Sequence, residues 1–356
     1  NTRRIKMKRI IVCIMVVIMT IALMAGCAGP ADSGVEEAKP AKAEEKAEEP
    51  AKAEEAVKIG VSFDSLESQW LVKNHAVIVE EIEARGGEVI SVMAEGDATK
   101  QNQQIENLIA QKVDAIICFP KDSAAIVTSI KKCKEAGIPI IMDNRSVSGD
   151  VLPDAQVVAN NAAMATKVLD AFAEIAREEG KTYKAILLIG GLADENAVYR
   201  KQGHDEGIAN NPDVFEVVAE VPTEWNLDTA LKGLQNALQA NPDADLIITP
   251  SDYLWPPIRS SLEQIDRWGK IGEDNHFPVV SFDGDEVGMQ YLKDGYNWGD
   301  AAQDAYAEGE MCVDWAYKLI AGETPPQNLI YDEGQIVTIA NFDEMAPQVW
   351  SYDLLK

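Results

Sequence analysis

From Val57 onward, short apolar runs alternate with longer stretches in which apolar residues recur every three or four positions. The first kind reads as strands and the second as amphipathic helices. Lys58–Ser62 is predicted as a strand. Gln69–Arg85 follows as a helix with Leu71, Val72, Ala76, Val79 and Ile82 on its apolar face, stopped by Gly86-Gly87. Val89–Met93, Val113–Phe119 and Ile138–Met142 read as strands, with helices at Ala98–Gln111 and Ser123–Ala136 between them. In the first of these helices Ile105, Leu108 and Ile109 face inward.

These strands barely alternate between apolar and polar residues, as expected when helices cover both faces of a parallel sheet. The pattern begins again at the strand Gln156–Ala159 and the helix Ala162–Glu179. It continues through Lys184–Ile189, Ala197–Asn210, Val214–Val221, Leu227–Ala240, Asp245–Thr249, Trp255–Trp268 and Val279–Phe282. Tandem strand–helix repeats predict an α/β fold of two doubly wound parallel-sheet lobes. A length of 356 residues fits two domains.

Open α/β sheets bind ligands beyond the carboxyl ends of their strands. The segments after the predicted strands are rich in polar and aromatic groups: Asp64, then Gln69-Trp70; Asp143-Asn144-Arg145; Gly190-Gly191, then Asn196 and Arg200; Trp225; Ser251-Asp252; and Asp283-Gly284-Asp285. Amides, carboxylates and guanidinium forks suit hydroxyl groups, which both donate and accept. Flat indoles suit the C–H face of a sugar ring. Phosphate would call for a glycine-rich loop, and neither a P-loop nor GxGxxG occurs. Read singly, Trp70 and Trp225 serve equally well as core residues, Asp143–Arg145 as a solvated loop and Asp283-Gly284 as a turn.

The first residues have a different character. Arg3, Arg4, Lys6, Lys8 and Arg9 precede the apolar run Ile10–Ala25, and Gly26-Cys27 follows. A basic start, an apolar core and small residues describe a secretory leader. An apolar run of this length also comes close to spanning a bilayer as a simple anchor helix. Residues 28–56 repeat Ala, Glu, Lys and Pro and carry few large apolar groups, so they read as a tether.

Charge narrows the partners. The formal net charge is −27, and without the leader it is −32. Such a surface repels nucleic acid. There are five cysteines and no CxxC pair. Cys118, Cys133 and Cys312, the last in a late helix, are expected to be buried free thiols. His75, His204 and His276 have no ligand spacing and are expected at the surface, so neither a metal nor a cofactor is expected.

At these residues the chain resembles the periplasmic ribose/xylose-type sugar-binding proteins of ABC importers, which have the type I binding-protein fold. The likeness runs from about Val57 to the C-terminus. Ile138–Arg145 is similar to the family segment ending in Asp/Asn-Arg, and Asn196–Gly203 to its arginine-bearing turn into a helix. Asn241–Asp252 is similar to its "Asn-Pro-Asp … Asn-Asp" stretch, with Ser251 at the usual Asn. Val280–Gly284 is similar to its Phe-Asp-Gly segment. Trp225 falls where the family stacks a ring on the sugar, and Gln303 where a hinge residue reaches the ligand. The turn at Gly190-Gly191, Trp225 and Asp252 look most like the xylose-binding branch.

The resemblance implies a non-enzymatic, monomeric receptor for a monosaccharide such as a xylose-like pentose, docking on a membrane ABC permease. Its ligand-binding residues would be Gln69, Trp70, Asn144, Arg145, Asn196, Arg200, Trp225, Asp252, Asp283 and Gln303. Ala-Gly-Cys27 resembles a lipobox, implying lipid attachment at Cys27 outside the cell membrane after removal of residues 1–26, with 27–56 as tether. Three crossings would divide the fold into a first lobe of 57–159 plus 304–330 and a second of 160–303 plus 331–356. The same fold also serves chemotaxis or autoinducer receptors. A glycosidase would need opposed carboxylates, for which Asp283 and Asp285 are too close in sequence. A sugar-responsive repressor would need a helix-turn-helix in place of the leader.

Overall fold

The computed structural model describes residues 56–356. The leader, Cys27 and the tether up to residue 55 lie outside the described residues.

The first sheet takes Lys58–Phe63 (β1), Glu88–Met93 (β2), Ala115–Phe119 (β3), Ile140–Asp143 (β4) and Ala155–Ala159 (β5). Helices Gln69–Ala84 (α1), Ala98–Ala110 (α2) and Val127–Ala136 (α3) connect them. The second takes Tyr183–Ile189 (β6), Phe215–Pro222 (β7), Leu246–Ile248 (β8), Val279–Phe282 (β9) and Gly299–Ala302 (β10). Its helices are Asn161–Glu179 (α4), Glu195–Asn210 (α5), Leu227–Ala240 (α6), Trp255–Gln264 (α7) and Glu286–Asp294 (α8). The chain then runs through Ala305–Ile320 (α9), Leu329–Asp332 (β11), Gln335–Thr338 (β12) and Phe342–Met345 (α10).

Strand order is β11-β5-β4-β3-β1-β2 in one sheet and β12-β10-β9-β8-β6-β7 in the other. Every pairing is parallel except β10 with β12. The missing polar alternation has a direct cause. Ile59, Val61, Ile117 and Phe119 enter one core, while their neighbours Ile116 and Cys118 enter the core on the opposite face. In the second sheet Leu187 and Ile248 face one core, and Ile186, Leu188 and Ile247 the other. Each such side chain contributes roughly 1.5–3 kcal/mol by leaving water.

Local sequence sets the boundaries. Ser68 caps α1 through its hydroxyl and Asp97 caps α2 through its carboxylate. Gly137, in the left-handed region, ends α3. That helix starts at Val127, not Ser123, because the Asp122 carboxylate takes the N–H groups of Ala124 and Ala125 and holds a turn there. Helix α7 ends at Gln264, short of Trp268, with Asp266 at φ 56°. The buried face of α1 is Trp70, Leu71, Asn74, Val77, Ile78 and Ile82, rotated from the predicted one, so Val72 is exposed.

The chain passes between the sheets after β5, after β10 and between β11 and β12. The three crossings are tied together: Asn160 N–H donates to Asp332 O at 2.8 Å and Asp304 N–H to Asp332 Oδ2 at 2.7 Å. Strand β11 keeps the chain in the first sheet as far as Asp332.

Cys118, Cys133 and Cys312 are free and buried. His204 departs from the expected surface position. It is buried where α5 packs on α4, and burial with the nearby charges of Arg200 and Lys201 pushes its pKa down to about 3.

Candidate functional site

The carboxyl ends of both sheets converge on a cavity of about 110 Å³. Asp64 follows β1, Asn144 and Arg145 follow β4, Asp283 follows β9 and Gln303 follows β10. Asn196 and Arg200 come from the first turns of α5. Strand ends deliver these groups without long loops, so the sheets fix their positions. Asn144, Trp225 and Asp283 have φ values of 61°, 52° and 115°. Such values are uncommon outside glycine and collect at binding sites.

Two buried ion pairs frame the cavity. Arg145 Nη1 donates to Asp64 Oδ2 at 2.7 Å and to Pro120 O at 2.9 Å, its Nε lies 3.1 Å from Asp194 Oδ2, and its guanidinium stacks 4.5 Å over the Phe119 ring. Arg200 Nη1 donates to Asp283 Oδ1 at 2.8 Å and to Pro250 O at 2.7 Å, while its Nε donates to Asn161 at 2.7 Å. Burial raises the Asp283 pKa, and Arg200 and Ser251 pull it back.

A chain of amides joins the lobes beneath this frame. Asn196 Nδ2 donates to Asn144 Oδ1 at 2.7 Å. Asn144 Nδ2 donates to Gln303 Oε1 at 2.9 Å and to Glu308 Oε2 at 3.0 Å. Gln303 Nε2 donates to Asp283 Oδ1 at 2.9 Å, and the Ser251 hydroxyl takes the other oxygen. Each donor and acceptor thus has an assigned direction, which pre-organises the wall of the cavity.

Trp225 lies against Gly190: a Cβ there would sit 2.2 Å from the indole. Its Nε1 donates to Asp194 Oδ2 at 3.0 Å. Trp70 is different. It is 3% exposed, it lines the cavity, and its Nε1 has no partner. Asp64 Oδ1 is likewise buried and unpartnered. One unsatisfied donor and one unsatisfied acceptor beside the same cavity carry a free-energy cost unless something else meets them.

Of the ten residues that the sequence proposes as ligand contacts, the structure brings eight to the cavity: Trp70, Asn144, Arg145, Asn196, Arg200, Trp225, Asp283 and Gln303. Gln69 and Asp252 are not brought there. Gln69 points to Glu286 of the other lobe, with Nε2 donating to Oε2 at 3.2 Å. Asp252 is fully buried behind the site, where it accepts from Trp255 Nε1 at 2.8 Å and from Asp285 N–H at 2.9 Å. Asp285, the second member of the hydrolase pair weighed above, is not on the cavity either, so Asp283 and Asp285 do not face it as a pair.

The ten proposed contacts leave out Asp64, Phe119, Asp194 and Ser251, all on the cavity wall, although Asp64 and Ser251 stand among the polar groups noted after the strands. Asp64 and Ser251 sit just past strand ends, the signal already used for the others. Asp194 is the N-cap of α5, and nothing in its immediate sequence marks it as the second partner of Arg145.

Two sheets, three crossings and a cavity between their carboxyl ends define a two-lobed binding protein of type I architecture. The match to a periplasmic binding protein domain over residues 59–324 shows that the chain belongs to that family, one of solute-binding proteins and not enzymes. A ribose import binding protein of Bacillus subtilis is 27% identical over 265 residues, 74% of this chain and 82% of the relative. A D-apiose import binding protein of Actinobacillus succinogenes is 30% identical over 225 residues, 63% and 69% respectively. The crystal structure of an ABC transporter solute binding protein from Bacillus halodurans with bound myo-inositol superimposes with a TM-score of 0.71 at 25% identity, covering 81% of this chain and 96% of that one.

Proposed function

We propose that the chain captures one small polyhydroxylated molecule, a xylose-like pentose or a related monosaccharide, and delivers it to the permease of an ABC importer. The observation that carries this reading is the pairing of Asp64 Oδ1 and Trp70 Nε1, an acceptor and a donor left unmet beside the cavity. A hydroxyl group satisfies both kinds of partner. The cavity, at about 110 Å³, is well below the roughly 300–1,000 Å³ that holds a drug-sized ligand. Relatives described as binding ribose, D-apiose and xylitol support a ligand of this size and chemistry.

In this reading Trp70 and Trp225 flank the ring, while Asn144, Arg145, Asn196, Arg200, Asp283 and Gln303 hold its hydroxyls. Residues 57–159 with 304–330 and residues 160–303 with 331–356 act as two lobes that close around it. The mature chain works as a monomer, tethered to the outer face of the cell membrane by lipid on Cys27. A thermal-shift panel of D-xylose, D-ribose, D-apiose, xylitol and myo-inositol tests the ligand class. At least one is expected to raise the melting temperature, and a flat response across pentoses, hexoses and polyols would count against the reading.

A further inference from the structure

Gln69 lies at the first position of α1 in one lobe, and Glu286 at the first position of α8 in the other. They meet twice: Gln69 Nε2 donates to Glu286 Oε2 at 3.2 Å, and Glu286 N–H donates to Gln69 Oε1 at 3.1 Å. The second bond is a helix cap. The N-cap residue of α8, Asp285, makes no capping bond with its own helix. Gln69 therefore supplies from the opposite lobe what α8 lacks. Free N–H groups in a first helical turn require such partners.

We infer that this two-bond exchange between Gln69 and Glu286, with Gln69 capping α8, is a latch that holds the two lobes closed. Both bonds exist only while the lobes are together, because their partners sit on opposite lobes. Both latch residues also adjoin the cavity wall in sequence. Gln69 precedes Trp70, and Glu286 is three residues past Asp283. A ligand that draws Trp70 and Asp283 together thereby engages the latch. Gln69 and Glu286 are positioning residues here, not ligand contacts.

The inference rests on the two-lobe reading above, and its test is chosen to need no sugar. Ser146 and Glu195 face each other across the cleft, Ser146 Oγ donating to Glu195 Oε2 at 2.7 Å. Cysteines at these positions, bridged by a short bismaleimide, react at a rate proportional to the closed fraction, however small that fraction is. In the unliganded full chain, Gln69→Ala should slow bridging by about fivefold through loss of the cap, and Gln69→Glu by a similar factor because it keeps an oxygen for the Glu286 N–H but loses the donor to the Glu286 carboxylate. Gln69→Glu leaves two carboxylates opposed. Adding Glu286→Gln to it restores an amide facing a carboxylate and should return the rate to within about twofold of the parent. Gln69 is exposed, so the variants should fold, with melting temperatures as the control. Equal rates in all four proteins, or failure of the swapped pair to recover, would overturn the latch. Failure of every sugar to bind would overturn the proposed function and leave this readout intact.

Discussion

Arg200 and Asp283, 83 residues apart in sequence, form a buried ion pair with Nη1 2.8 Å from Oδ1. The arginine is carried by the first turns of α5 and the aspartate by the end of β9, so the pair ties together two strand–helix units of one lobe whose strands, β6 and β9, are separated in the sheet by β8. The guanidinium also lies 3.9 Å from the centre of the Phe282 ring, which leaves one polar edge of the pair for the cavity.

Removing half of this pair should be worse than removing both. Asp283→Ala strands a buried guanidinium and should cost about 3–5 kcal/mol of folding free energy. Adding Arg200→Met should recover part of that loss, because no unpaired charge remains. Urea unfolding of the two variants measures it. Equal or additive losses would show that the pair does not compensate its own burial.

Trp70→Phe separates ligand binding from folding. The ring is retained while the unpartnered Nε1 donor disappears. Stability of the unliganded protein should be unchanged or slightly higher, since an unmet buried donor is gone. Sugar affinity should fall by about 1–3 kcal/mol if a hydroxyl accepts from that N–H. Calorimetry with the tightest-binding sugar gives the second number.

Gly190→Ala tests the seat of Trp225. The new Cβ would lie 2.2 Å from the indole, so the ring must leave its place and its bond to Asp194. Overpacking of this kind costs roughly 1–3 kcal/mol. Affinity should drop by at least tenfold while the circular dichroism spectrum stays native, and unchanged affinity would remove Trp225 from the ligand wall.

The pH dependence has a definite sign. Burial pushes the Asp143 carboxyl up to about 7 and the Asp300 carboxyl up to about 6, both from an ordinary value of 3.8. Between pH 4 and those values the folded chain holds protons that the unfolded chain has released. Their stabilising contribution is complete below pH 4 and is lost as pH rises through 6 and 7. Asp143→Asn should therefore gain stability relative to the parent as pH rises from 5 to 8, measured as the difference between two denaturation series. A constant difference across that range would contradict the assignment.

Much of this was legible before any coordinates. The strands Val279–Phe282 and Tyr183–Ile189 stand out because residues buried on both faces leave an unbroken apolar run. Strand Gly299–Ala302, reading Gly-Asp-Ala-Ala, escapes because its small and charged residues are buried by neighbours that sequence does not reveal. The polar residues just past strand ends gave most of the site, since a strand end fixes direction as well as position. Asp252 misled for the same reason: it sits in the right segment, but the indole of Trp255 and the N–H of Asp285 had already claimed its oxygens. Asp194 was invisible because its role depends on Arg145, 49 residues earlier and in the opposite lobe.

The central claim is that a small polyhydroxylated ligand supplies the partners that Asp64 Oδ1 and Trp70 Nε1 lack. A crystal structure of the protein with its tightest-binding sugar tests this directly. The account predicts ligand hydroxyls within hydrogen-bond distance of both atoms, with Arg200 and Asp283 still paired beside them. A sugar bound elsewhere, or bound here with both atoms still unmet, would contradict it.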